Sequence, residues 1–194
     1  MSKLTDLTRR QQILQVSSIL FREKGFKATS VRDIASAMNM EAASLYSHIK
    51  SKDEILQELV FTIASKFENG MKAIDQSSYT PIQKVKALIS LQLRITTENP
   101  YAIFLQTQAL MHLKEPYRGQ YQSIRDQFVN DFTRIAEAGM DEGSIKKMNP
   151  FVLVNSILST SRWLYEWYNK SREINPVELE IQILGMLENG FSGE

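Results

Sequence analysis

Apolar and polar positions follow a helical period along almost the whole chain, and the clearest instance lies near its start. Val31, Ile34, Ala35 and Met38 fall at i, i+3, i+4 and i+7, the mark of a helix with one apolar face, and Ser30 with Asp33 three residues later supplies an N-terminal cap. Asn39 follows where the chain must reverse, and asparagine tolerates the left-handed conformation such a turn needs. From Glu41 the period resumes, with Leu45 and Ile49 facing inward and Ala42, Ala43, Ser44 and Ser47 facing out. Two short helices joined by a tight turn predict a helix-turn-helix. Its second helix suits a major groove about 12 Å wide, because a helix is about 10 to 12 Å across.

On either side of this stretch the same period continues. Ile13, Leu14, Ser17, Leu20 and Phe21 make one stripe of a helix from about Thr8 to Lys24, which Gly25 ends. Arg9 and Arg10 are expected on a mobile arm, able to reach phosphates or a minor groove. Ser51 caps a longer helix whose inner face is Ile55, Leu56, Leu59, Ile63 and Phe67, running to about Ile74. Beyond it stand Pro81, Pro100, Pro116, Pro150 and Pro176, preceded by Thr80, Asn99, Glu115, Asn149 and Asn175. Proline suits the first turn of a helix and Asn or Thr suits the cap before it, so each pair predicts a helix start. The expected fold is all-α: an N-terminal three-helix helix-turn-helix domain over residues 1–52 and a larger helical domain over 53–194.

Composition changes the picture in two ways. The 194 residues are 43% hydrophobic and 23% charged with a net charge of only +1, ordinary for a globular chain. Yet residues 1–52 hold nine Lys or Arg against four Asp or Glu, a balance of +5, which leaves −4 for the remainder. A basic head on an acidic body suits nucleic acid, whose phosphates attract the first part and repel the second. The chain has no cysteine, which excludes disulfides and thiolate metal sites. Its start lacks the apolar run of a signal peptide and no segment is of membrane-spanning length, so no membrane association and a cytoplasmic location are expected.

Catalytic chemistry finds little support. The two histidines, His48 and His112, lie far apart, Ser44 has no G-x-S-x-G surroundings, and there is no H-x-x-x-H pair or glycine-rich phosphate loop. No enzyme activity, metal or cofactor is expected. Tyr46, His48, Lys50 and Lys52, by contrast, cluster where hydroxyl, imidazole and ammonium groups can donate to phosphate oxygens, and the backbone N–H groups after Ser30 and Ser51 add anion sites. The bland alternative makes Tyr46 a core aromatic and the lysines solvated decoration.

These residues carry a resemblance. The segment "ILQVSSILFREKGFKATSVRDIASAMNMEAASLYSHIKSKDEIL" resembles the DNA-binding domain of the TetR family of transcriptional regulators, in its "F-x-x-K-G", "T-S-V-R-D-I-A", "L-Y-x-H" and "K-x-K" motifs. The resemblance implies base contacts from Arg32, Ala42, Ala43, Ser44 and Ser47, and phosphate contacts from Ser30, Tyr46, His48 and Lys52. It also implies a ligand-responsive regulator, a repressor of a double-stranded DNA operator, acting as a homodimer through its last two long helices with an effector pocket in the body. Asn39 departs from the family's usual glycine, and Ile49 from its common phenylalanine.

For the body only the residues themselves speak. Phe104, Met111, Phe128, Phe132, Trp163 and Trp167, with Tyr165 and Tyr168, form a set able to line an apolar cavity for a small molecule, or equally to fill a core. The "RWLYEWY" segment is similar to one in family members that sense fatty-acyl or steroid-derived thioesters. That makes an acyl-thioester-like effector the expectation, with Arg162 facing its anionic group. The alternative function is a small-molecule or protein-binding helical module that no longer binds DNA.

Overall fold

The computed structural model describes residues 7–171 and 174–193. Among them are nine helices: α1 (Arg9–Lys24), α2 (Val31–Ala37), α3 (Ala42–Leu45), α4 (Lys52–Asp75), α5 (Pro81–Glu98), α6 (Pro100–His112), α7 (Tyr117–Asp141), α8 (Pro150–Ser171) and α9 (Pro176–Phe191). The only extended pairing among the described residues is an isolated bridge between Ile145 and Ser192. None of the described helices is long and apolar enough to cross a membrane.

Local chemistry accounts for the boundaries. Thr8 caps α1 with Gln11 in a reciprocal capping box, and Gly25 closes it at φ 87°, where a side chain would be strained. Ser30 caps α2 in the same reciprocal way with Asp33. The Asn149 carboxamide oxygen accepts from the Phe151 and Val152 N–H groups at 3.0 and 3.2 Å, and that of Asn175 from Val177 at 2.9 Å. Four of the five prolines open a helix; Pro116 lies one residue ahead of α7. Asn39 takes φ 52°, the left-handed turn read from the sequence.

The second helix of the motif is shorter than its pattern suggested. Regular α3 ends at Leu45, and residues 46–48 continue as turns in which the Ser47 N–H reaches back to Ser44 and the His48 N–H to Leu45. The Ser47 hydroxyl donates to the Ser44 carbonyl at 2.7 Å, competing with the helical ladder at that point.

Two compact units divide the chain: Met1–Ile63 with Tyr101–Tyr121, and Ala64–Pro100 with Gln122–Glu194. The division therefore differs from a cut after residue 52, since the first half of α4 and all but the first residue of α6 stay with the helix-turn-helix. Within that unit Ile13, Phe21, Ile34, Leu45, Ile55 and Val60 are fully buried. Phe61 packs edge-on against Tyr117 and Tyr121, and the Gln106 amide donates to the Val60 carbonyl at 3.3 Å. The other unit is organised on α5, which packs against α8 and α9. Its core includes Val85, Leu88, Ile89, Phe132, Val154, Ile157 and Leu164. Lys86 of α5 pairs with Glu188 of α9 at its edge.

Candidate nucleic-acid interface

Leu45 at the end of α3 and Ile49 just beyond it, at 0% and 2% exposure, seat this segment on the head. Ala43, Ser44 and Ser47 are exposed, Ala42 is half-buried, and Tyr46 stands 55% exposed at the end of the helix. Arg32, on the first turn of α2, is exposed as well. The face carries hydroxyls and methyl groups, with the long donor Arg32 nearby in sequence. Such a surface can approach base edges closely and meet thymine methyl groups, with Arg32 able to reach a guanine.

The expected phosphate contacts are placed unevenly. Tyr46 and Lys50 are exposed and His48 is half-buried. Ser30 departs from expectation: its N–H donates to Asp33 Oδ2 at 2.7 Å and its hydroxyl points at the same carboxylate. Those bonds, led by the hydroxyl, hold the Asp33 carboxyl down to about 2 from its ordinary 3.8. The start of α2 thus already has its anion. The α4 terminus is similar, with the Glu54 N–H donating to Ser51 Oγ at 3.1 Å and the Glu54 carboxylate accepting from the Lys50 N–H.

Lys52 has partners within the protein. Its ammonium donates to the carbonyls of Phe26 (2.6 Å), Thr29 (2.7 Å) and Lys27 (3.4 Å) and lies 4.5 Å above the Phe26 ring. The Phe26 ring also meets Phe21 and His112, each at 5.1 Å between centroids. Burial, with the charges of Lys27 and Lys52 behind it, pushes the His112 imidazole below its ordinary pKa.

Arg9 and Arg10 belong to α1 and form no arm. Arg10 pairs with Glu54 at 2.7 Å and with Glu58, one turn apart on α4, and also donates to the His48 carbonyl. Hydrogen bonds to Glu58 and Glu54 raise its already high pKa, so it stays charged. This cluster ties α1 to the end of the recognition segment, and sequence reading missed it. The i, i+4 spacing of Glu54 and Glu58 was the available signal.

Of the body residues expected to line a cavity, some belong to a core and others are exposed. Phe128 and Phe132 are core residues, stacked edge-on in a series with Phe67 at 5.8 and 6.3 Å. Trp163 (64%) and Trp167 (43%) project to the surface of α8, and Met111 (69%) to that of α6. Phe104 is half-buried beneath the Arg22 guanidinium, 5.8 Å away. The Arg162 side chain lies outside the described residues. An open groove of about 440 Å³ between α4 and α7 is lined by Met71, Ile124 and Phe128 together with polar residues, among them Asn69, Lys72, Gln127 and Asp131. Among the described residues no group of three or more His, Asp or Glu could hold a metal ion.

Comparison with known proteins bears on both parts. The family described as bacterial regulatory proteins, tetR family, matches residues 13–59, and a tetracyclin repressor-like C-terminal domain matches residues 78–191. The chain belongs to the TetR family. It is therefore placed among DNA-binding transcriptional regulators, a family of regulators and not of enzymes. The TetR-family chain is 25% identical over 186 residues to the HTH-type transcriptional repressor KstR2 of Rhodococcus jostii (strain RHA1), covering 95% of this chain and 91% of that one. In fold it is similar to the ketosteroid transcriptional regulator KstR2 of Mycobacterium tuberculosis, with a TM-score of 0.90 at 21% identity over 96% of each chain. It is also similar to AibR solved with isovaleryl coenzyme A and operator DNA, with a TM-score of 0.78 at 20% identity over 92% of this chain and 97% of that one.

Proposed function

We propose that this TetR-family protein is a homodimeric repressor that holds a near-palindromic operator and leaves it when a small, largely apolar effector binds. The carrying observation is the outward side of Ala43, Ser44 and Ser47 in a segment anchored by Leu45 and Ile49, within residues 1–52, whose charge is +5. In this reading residues 1–52 read DNA and residues 53–194 dimerise and bind effector. Arg32, Ala42, Ala43, Ser44 and Ser47 meet base edges, while Tyr46, His48 and Lys50 meet phosphates. The protein acts in the cytoplasm, where its operator is.

The dimer is proposed through α8 and α9. Trp163 and Trp167 on α8, and Val177 and Ile181 on α9, are apolar pairs at i, i+4 spacing that the single chain leaves exposed, the latter two at 66% each. Burying such pairs against a second copy is the ordinary use of an exposed apolar helix face. Two recognition helices would then enter successive major grooves about 34 Å apart. An effector that binds better to a form with a different spacing lowers operator affinity by that difference alone.

For the effector, the "RWLYEWY" segment of α8 and the acyl-thioester bound by AibR support an acyl-thioester-like molecule, with Arg162 as partner for its anionic part. Binding of the wild-type chain to duplex DNA, measured against salt, tests the reading. A binder loses affinity steeply as salt rises, by roughly 0.9 in slope for each phosphate neutralised. A weak, salt-insensitive association would instead favour a helical module that no longer reads DNA. Addition of isovaleryl coenzyme A and longer acyl thioesters to the complex tests the effector, which releases DNA if the proposal holds.

A further inference from the structure

We propose that Arg10, Glu54 and Glu58 form a lock that positions the end of the recognition segment, and that the head keeps these two carboxylates for that purpose although they oppose its attraction to DNA. The inference rests on the DNA-binding reading above. Glu54 and Glu58 lie one turn apart on α4, with side chains 28% and 31% exposed. Like charges at i, i+4 destabilise a helix, and two anions in a head that must approach phosphates weaken the long-range attraction. Neither effect is offset within α4 itself. The guanidinium of Arg10, on α1, offsets both: Nε donates to Glu58 Oε2 at 2.9 Å, Nη2 to Glu54 Oε1 at 2.7 Å and also to Glu58, and Nη1 to the His48 carbonyl. A planar fork of five N–H donors suits acceptors spread around one point in this way.

What the lock holds is the chain that leaves the recognition segment. Regular α3 ends at Leu45, so the His48 carbonyl belongs to no helical ladder, and Arg10 fixes where it points. Two residues on, the Lys50 N–H donates to Glu54 Oε2, while the other oxygen of that carboxylate takes Arg10. Hydrogen bonds from Arg10 and from the Lys50 N–H hold the Glu54 carboxyl below its ordinary pKa, which keeps it ionised. The backbone on either side of the buried Ile49 is thus held between α1 and α4. Tyr46, His48 and Lys50, the proposed phosphate contacts, lie on or beside this stretch.

The sign of one substitution separates the lock from bare charge. Glu58→Ala removes an anion, so electrostatics alone would tighten operator binding, whereas loss of the lock weakens it. Wild type, Glu58→Ala, Arg10→Met and the double variant are compared at one salt concentration, each checked for unchanged helical circular dichroism. The probe is the duplex that wild type selects from random-sequence DNA. We expect Glu58→Ala to bind about threefold to fivefold more weakly than wild type, the scale of a partly exposed charged pair. In the Arg10→Met background the same change no longer weakens binding, because Glu58 acts through Arg10. In the free protein, amide hydrogen exchange over residues 46–50 rises in both single variants.

Operator binding by Glu58→Ala that is tighter than wild type, or the same, would overturn the lock. Equal weakening by Glu58→Ala with and without Arg10 would place its effect in α4 alone and overturn the lock as well. Unchanged exchange over residues 46–50 would overturn it independently of DNA. If wild type selects no duplex, the DNA-binding reading itself fails and takes this role with it, which the exchange result distinguishes from a missing lock.

Discussion

Replacement of Ile181 by glutamate probes the proposed dimer where the structure makes the effect calculable. Ile181 is 66% exposed on α9 in the single chain, so folding alone leaves about two-thirds of its surface in water. Complete burial of an isoleucine side chain stabilises by roughly 1.5–3 kcal/mol, and burial of the remaining two-thirds in a dimer therefore contributes about 1–2 kcal/mol per copy. In a two-fold interface the same residue is present twice, which brings the loss to about 2–4 kcal/mol, or roughly 30- to 1,000-fold in the dimer dissociation constant. Two carboxylates placed in an apolar contact add a desolvation cost of the same sign. The monomer should keep its fold, because the residue is a surface position there. Sedimentation velocity over a concentration series gives the dissociation constant, with circular dichroism as the fold control and Glu137→Ala, an exposed change on α7, as the neutral comparison. Ile181→Glu dimerising like wild type would refute the assignment of α9 to the interface.

Three further outcomes are expected. Asn39→Ala, which places an unsuited side chain at φ 52°, should cost about 1 kcal/mol in urea unfolding while Asn39→Gly costs none, and equal midpoints for the two would remove the left-handed turn from the account. Arg32→Ala should cost about 1–3 kcal/mol at the preferred operator and flatten the ranking of base variants, so an unchanged ranking would exclude Arg32 as the base reader. The Asp33 carboxyl is held down to about 2 from 3.8 in the folded chain, so its capping contribution is present above the higher value and is lost as pH falls through the lower. The stability difference between wild type and Asp33→Asn should accordingly shrink on acidification through that window, and a pH-independent difference would contradict the cap.

Features set by neighbours in sequence were legible, and features set by long-range contact were not. The caps at Ser30, Asn149 and Asn175, the left-handed Asn39 and the buried pair Leu45 and Ile49 all follow from residue type and spacing over a few positions. The end of α3 was less clear, because it turns on the Ser47 hydroxyl choosing the Ser44 carbonyl. Arg10 looked free until Glu54 and Glu58, more than 40 residues away, closed on it, and the carbonyls that Lys52 meets belong to a connection 23 to 26 residues upstream. A cation in sequence shows its charge but not whether that charge is already taken. Trp163 and Trp167 illustrate the same gap for apolar groups, since an i, i+4 aromatic pair reads alike whether it meets a core, a ligand or a partner. The compact units divide α4 after Ile63, a place the sequence does not mark, because α4 is one uninterrupted helix.

The most direct test of the whole account is selection of duplexes from random-sequence DNA by the wild-type protein, followed by footprinting of the winner over a salt series. The account predicts a near-palindromic site with two protected half-sites about 34 Å apart, bound by a dimer with a steep salt dependence. Recovery of no preferred sequence, or of a site bound by a monomer with little response to salt, would contradict it.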